Sequence, residues 1–185
     1  MEFSELMKIR QSVRQYQQRP VARELLATLI EAVRLSPSAS NAQPWKLIIV
    51  DDPELRSQVA QATFSKTVTF NRFAMEAPVI AVFVTEKAGF ITQVGAMLKK
   101  RQFSLIDIGI AAAHFCLQAA ELGLGTCILG WFDEKRIKRL LHIPAGRRIG
   151  LLVTLGYAVE GYPLREKSRK NIELMSGFNS YGGNS

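Results

Sequence analysis

An α+β sandwich, with a sheet of four or five strands flanked by helices, is the fold class this sequence predicts. Three observations carry that expectation. Four short apolar or β-branched runs have the length of buried strands: 46–50 (K-L-I-I-V), 78–85 (P-V-I-A-V-F-V-T), 126–129 (T-C-I-L) and a run within 148–156 (I-G-L-L-V-T-L-G). Segments with helical spacing lie between them. One further stretch, 104–122, is apolar almost all round, broken only by Asp107, His114 and Gln118.

Taken in order, Leu25, Leu29, Ala32 and Val33 recur at helical spacing from Glu24 to Leu35, with Leu26 and Ile30 widening the stripe. Pro20 precedes this helix and Ser36-Pro37 ends it, because proline disfavours helix at the residue before it. The segment S-P-S-A-S-N-A-Q-P-W at 36–45 is small and polar, with prolines at 37 and 44, and reads as a loop. The first strand follows, then a turn at Asp51-Asp52-Pro53 and a short helix over 54–63. After the second strand, residues 86–103 read as a mobile, partly helical cover. The apolar stretch 104–122 predicts a helix buried on most sides, at the domain centre or across a subunit interface. Gly123-Leu124-Gly125 closes it, since glycine accepts the left-handed conformation of a helix end. The third strand and Gly130-Trp131 lead to Asp133, an N-cap for a helix over 134–141, with Pro144 beyond its end. One domain over 1–175 is expected, with a disordered tail over 176–185.

At 185 residues, 48% hydrophobic and 22% charged, the chain has the composition of one globular domain. No apolar run reaches the roughly 18 residues of a membrane span, and the N-terminus lacks a signal-peptide layout, so a cytoplasmic protein without membrane partners is expected. The net charge of +8 raises nucleic acid as a partner. The charges are dispersed, however, and no helix-turn-helix, zinc-finger or aromatic RNA-binding signature is present, so no nucleic-acid partner is expected. Cys116 and Cys127 each lie in an apolar run and read as buried thiols. With two histidines and no C-x-x-C or H-E-x-x-H, no metal site is expected. The serine elbow G-x-S-x-G is also absent.

Two cationic, hydroxyl-bearing clusters stand near opposite ends of the chain: R-Q-S-V-R at 10–14 and K-S-R-K at 167–170. A phosphate dianion suits both, since arginine offers a planar fork of donors and serine adds a hydroxyl. The chain has no P-loop, and G-L-G at 123–125 is followed by Ile128 rather than a third glycine, so side chains must do the work of a glycine cradle. These two clusters, with S-P-S-A-S-N-A-Q-P-W at 36–45 and L-G-L-G-T-C-I-L-G at 122–130, resemble the nitroreductase family of FMN-dependent oxidoreductases. The likeness spans about residues 4 to 175.

The resemblance implies a nitroreductase-like α/β sandwich with a mostly antiparallel central sheet. It also implies a homodimer with FMN at the subunit interface. By family match, Arg10, Ser12, Lys167 and Arg169 take the FMN phosphate, and Gln11 is a further cofactor-binding residue. Arg14 lies near the pyrimidine edge of the flavin, where a fixed cation favours the reduced ring. Pro37, Ser38, Ala39 and Asn41, with Gln43, come from the other subunit and lie along the ring, Asn41 donating and accepting at its polar edge. Ile128, Leu129 and Gly130 pass the other side, with a backbone N–H facing flavin N5; Gly130 has no side chain to obstruct that approach. Asn71 matches a further contact. Two departures stand out: Leu129 replaces the glutamate of some relatives, and Gln11 replaces the second base of the usual basic pair. Phe70, Phe73, Phe90, Phe103 and Trp131 are candidate pocket walls or core residues.

The expected activity is hydride transfer from NADH or NADPH through flavin N5 to a nitroaromatic, quinone or similar acceptor, by a ping-pong sequence. No dedicated catalytic acid, base or nucleophile is identified, since the cofactor carries the chemistry. The alternatives are a non-catalytic FMN-binding protein for storage or sensing, and a basic nucleic-acid-binding module. Within the enzyme class, action on flavin itself or on a halogenated aromatic is a further alternative.

Overall fold

The computed structural model describes residues 1–86 and 102–183. The expectations for a cover over 86–103 and for Phe90 therefore fall almost wholly outside the described residues. In chain order the elements are α1 (Phe3–Ile9), α2 (Arg23–Arg34), β1 (Trp45–Val50), α3 (Pro53–Gln61), β2 (Val79–Thr85), α4 (Phe103–Glu121), β3 (Gly125–Leu129), α5 (Glu134–Leu140), β4 (Ile149–Gly156) and α6 (Ile172–Met175). The four strands form one antiparallel sheet in the order β1-β2-β4-β3. Short helices α1 and α6 were not anticipated; each has too few apolar positions to show a stripe, and only Leu6 is buried between them.

Alternation explains why β2 is apolar throughout. Val79, Ala81 and Phe83 face one core with Leu29 and Val33 of α2 and Ile108, Ala111 and Phe115 of α4. Ile80, Val82 and Val84 face the opposite core with Val59 of α3 and Ile137 of α5. A sheet covered on both faces needs hydrophobic residues at every position of its central strands. Phe83 and Phe115 meet edge-to-face, centroids 5.9 Å apart at 86°. The buried stripe of α2 is Leu26, Leu29 and Val33; Leu25 is half-buried and Ile30 is 45% exposed, so the stripe is rotated from its predicted centre.

Two caps fix helix starts beside the sheet. The Asp52 carboxylate accepts the Leu55 N–H at 2.8 Å ahead of Pro53, and Asp133 accepts the Arg136 N–H at 2.9 Å. Helix α4 revises one expectation: its 19 residues are long and apolar enough, by composition, to cross a membrane. Here it is a core helix with Asp107, Ile108, Ala111, Ala112, Phe115, Cys116 and Ala119 buried. Its other face is open in the single chain, with Leu105 48% and Ile106 55% exposed.

The N-terminal segment after α1 covers the free edge of β3. Ser12 bridges Thr126 in parallel, the Val13 N–H donates to the Thr126 carbonyl at 2.9 Å, and Tyr16 bridges Ala158 beyond β4. The buried Tyr16 hydroxyl donates to the Val13 carbonyl at 2.8 Å and lies 2.8 Å from Thr154 Oγ1; burial pushes its ionisation well above the ordinary tyrosine value. An otherwise open edge is thus closed, and R-Q-S-V-R is held along it.

Candidate functional site

Residues from both chain ends meet where this segment crosses β3. Arg10 is the C-cap of α1, its N–H bonded to the Leu6 carbonyl at 3.0 Å. Its own carbonyl accepts from Lys167 Nζ at 2.6 Å. The Lys167 ammonium is held below its ordinary value by desolvation, and then by the neighbouring charges of Arg10 and Arg169. Gln11 is gripped on both sides: its amide donates to the Pro163 carbonyl at 2.9 Å and its oxygen accepts the Arg165 N–H at 3.0 Å. Arg165 also donates to the Ser12 carbonyl at 3.2 Å and to the Tyr162 hydroxyl. The Tyr162 hydroxyl accepts the Arg14 N–H at 3.1 Å. The structure therefore brings Arg10, Gln11, Ser12, Arg14 and Lys167 together, with Arg169 beside Lys167 although its own guanidinium donates to the Ser168 carbonyl at 2.6 Å.

Arg165 and Tyr162 were missed as members of this cluster. Arg165 belongs to a visible basic run, but nothing in the run says which of its cations turns inward. Gln11, the departure from the usual basic pair, has a structural task instead: an amide can donate and accept at once, and here it does both, clasping the two termini.

Arg14 is exposed, with its guanidinium carbon 5.8 Å from the centre of the Phe73 ring. Next along, Asn71 is buried, and its amide nitrogen donates to the carbonyls of Thr63 at 3.2 Å and Trp131 at 3.1 Å. Both of its donors are engaged, which leaves its carbonyl oxygen as the group able to meet a ligand. The same contact holds the turn after β3, where Gly130 is exposed and an added Cβ would touch nothing within 4 Å. Leu129 is buried and Ile128 is 46% exposed, so only Ile128 of this pair presents a side chain outward. Trp131 at 57% and Phe70 at 64% are exposed beside this turn, and Phe103 and Phe73 are half-buried.

The loop over 37–43 lies elsewhere. It contains a single 3-10 turn at Ala39–Asn41, and Ser40, Asn41 and Gln43 all adopt positive φ, at 51°, 52° and 46°. Asparagine tolerates that region, and glutamine is held there by local bonds. The Gln43 N–H donates to Ser38 Oγ at 2.9 Å, and its side-chain amide donates to the carbonyl and side-chain oxygens of Asn41, each at 3.1 Å. The Ala39 N–H donates to Asp107 Oδ1 at 3.2 Å. Asp107, an interruption in the apolar helix, is thus the anchor of this loop and was not anticipated as such. Arg10, Gln11 and Val13 instead share a small cavity with Ala120 and Gly123 at the far end of α4, and Ala120 lies thirteen residues beyond Asp107, about 20 Å along the helix at 1.5 Å per residue. Within one chain, then, Pro37, Ser38, Ala39, Asn41 and Gln43 do not join the cationic cluster.

The two cysteines are buried on opposite faces of the sheet, Cys116 with the α2–α4 core and Cys127 with the α3–α5 core. Burial pushes both thiols above their ordinary value, although Arg14 and Ser12 pull Cys127 back in part. Neither is poised as a nucleophile.

A family model described as the Nitroreductase family matches residues 7–157. A curated relative from Thermus thermophilus, named NADH dehydrogenase, is 28% identical, the match covering 89% of this chain and 91% of the relative. Among solved structures, a nitroreductase family protein from Clostridium novyi NT is 27% identical, with a TM-score of 0.74 and coverage of 100% of this chain and 97% of that one. An FMN-dependent nitroreductase from Clostridium difficile R20291 is 26% identical, with a TM-score of 0.74 and coverage of 95% and 98%.

Proposed function

The chain belongs to the nitroreductase family and is an oxidoreductase, and from that premise we propose that it binds FMN and uses NADH or NADPH to reduce a nitroaromatic, quinone or similar conjugated acceptor. One observation carries the reading: Lys167 Nζ rests 2.6 Å from the Arg10 carbonyl, next to Arg169, in a cluster whose cations crowd one another. Like charges gathered at one place are unfavourable until a counter-ion arrives, and a phosphate dianion answers that need. The donor set fits FMN: Arg10, Ser12, Lys167 and Arg169 for the phosphate, and Arg14 for the pyrimidine edge. The Asn71 side-chain oxygen would be free to accept a hydrogen bond from the cofactor, and the space at Gly130 would admit the flat ring.

When bound, FMN supplies the acceptor for one hydride from the nicotinamide and then the donor of two electrons to the oxidised substrate. The protein's own part is to hold, orient and bias. Arg14 sets a fixed positive charge where the reduced ring gathers negative charge. The buried Leu129 contributes no acid, and the exposed Gly130 turn would offer the ring backbone rather than a side chain.

We further propose a homodimer. The open face of α4 leaves the side chains of Leu105 and Ile106, 48% and 55% exposed, in water in the single chain, where a second copy would cover them. The separation of the 37–43 loop from the cationic cluster supports a ring held between loop and cations of different chains. The test is direct: purify the protein, record its visible spectrum, and titrate it anaerobically with NADH and NADPH. A flavin spectrum that bleaches with a nicotinamide is expected. Bound flavin that neither nicotinamide reduces would favour the storage or sensing alternative, and failure to take up FMN would overturn the reading.

A further inference from the structure

A second cationic site lies on the flank of this one. The end of α3, the loop after it, the 72–75 turn and the start of α5 border an open surface cavity of about 440 Å³. Lys66, Arg72 and Arg136 line it, with Gln61, Phe64 and Ser65 and no carboxylate. Among the described residues none of these three cations is ion-paired. The Arg136 guanidinium donates, among the described residues, only to the neutral Gln61 oxygen at 3.2 Å, and the Arg72 guanidinium stands 6.0 Å from the centre of the Phe64 ring. A second basic groove, around Lys135, Lys138 and Arg139, differs on this point, because Lys138 is already neutralised by Glu134 at 3.0 Å.

Position gives the first cavity its meaning. Arg72 directly follows Asn71, whose amide holds the Trp131 carbonyl at 3.1 Å, so the cavity rim and the Gly130 turn are joined through one side chain. Arg136 is six residues beyond Gly130, so chain length alone keeps their Cα atoms within about 21 Å. The space between is within the span of an extended dinucleotide.

We propose that Lys66, Arg72 and Arg136 take the 2′-phosphate of NADPH, so that the protein prefers NADPH to NADH. A phosphomonoester carries close to two negative charges and three acceptor oxygens, which match unpaired cations in a concave site. The flat faces of Phe64 and Arg72 suit the adenine beside it. NADH, which carries a hydroxyl there, leaves the three cations unanswered.

The proposal rests on the nicotinamide-dependent reading above, and its test separates the two. On FMN-loaded protein, where the flavin phosphate site is already filled, calorimetry should show 2′,5′-ADP binding at least about tenfold more tightly than 5′-AMP. Arg136→Ala and Lys66→Ala should each remove most of that difference. In steady state both variants should raise the KM for NADPH roughly tenfold, with kcat retained and NADH kinetics unchanged. Equal affinity for the two adenosine phosphates, or variants that weaken NADH and NADPH alike, would overturn the proposal. If neither nicotinamide reduces the flavin, the donor reading fails, while the calorimetric pair still decides whether the cavity recognises a 2′-phosphate.

Discussion

Gly125 is where fold and site depend on the same few tenths of an ångström. A Cβ added there would lie 2.7, 2.8 and 2.9 Å from Cγ2, Cβ and Cγ1 of Val13, whereas ordinary contact begins near 3.4 Å. The Val13 segment must therefore retreat by about 0.7 Å. It is badly placed to do so. Its N–H is bonded to Thr126 at 2.9 Å, its carbonyl accepts from Tyr16 at 2.8 Å, and its side chain is 5% exposed. Overpacking of this kind costs about 1–3 kcal/mol. For a chain of this size that corresponds to roughly 2–4 °C in Tm per kcal/mol. Gly125→Ala should accordingly melt several degrees lower without FMN, and should bind FMN at least about tenfold more weakly because Arg10, Ser12 and Arg14 move with Val13. Gly130→Ala is the internal control: nothing lies within 4 Å of its added Cβ, so the melting temperature without FMN should be unchanged. Scanning calorimetry and fluorescence titration with FMN measure both quantities. A Gly125→Ala protein that melts and binds FMN like the parent would show that the segment is not seated on β3 as described.

Three further outcomes are expected. The Lys167 ammonium is held below its ordinary value of 10.5 by desolvation and then by Arg10 and Arg169, so an arriving dianion should restore it. FMN binding between the lowered value and 10.5 should thus take up protons, detectable by calorimetry in buffers of different ionisation enthalpy, and Lys167→Met should abolish the uptake. Burial pushes Glu134 upward, but the Ile149 N–H at 2.9 Å, Lys138 at 3.0 Å and Arg148 at 3.1 Å together hold its carboxyl below the ordinary 4.5. A lowered carboxyl stabilises the fold above its unfolded value and loses that contribution as pH falls through the folded one. Glu134→Gln should cost about 1 kcal/mol near neutrality, with the gap from the parent closing below pH 4.5 in urea melts. Ile106→Arg, on the open face of α4, should weaken the proposed dimer by more than about a hundredfold in sedimentation experiments, since a buried unpaired charge costs several kcal/mol. A dimer untouched by this change would place the interface elsewhere.

The strands, their buried faces and the central helix were legible in the residues themselves, because hydrophobic spacing and helix caps are local consequences of local chemistry. The runs at 46–50 and 78–85 need no tertiary information to be read as buried strands, and Asp133 announces the start of α5. The two cationic clusters were equally visible, as residue types suited to a phosphate. Their meeting was not. That Lys167 reaches Arg10 across 157 positions depends on how the segment after β4 folds back over β3, which no local pattern encodes. The same holds for Gln11 as a clasp between the termini, for Asp107 as the anchor of the 37–43 loop, and for Lys66, Arg72 and Arg136 around one cavity. Residue chemistry sets what a side chain can bind; only the packed chain decides which side chains stand close enough to bind it together.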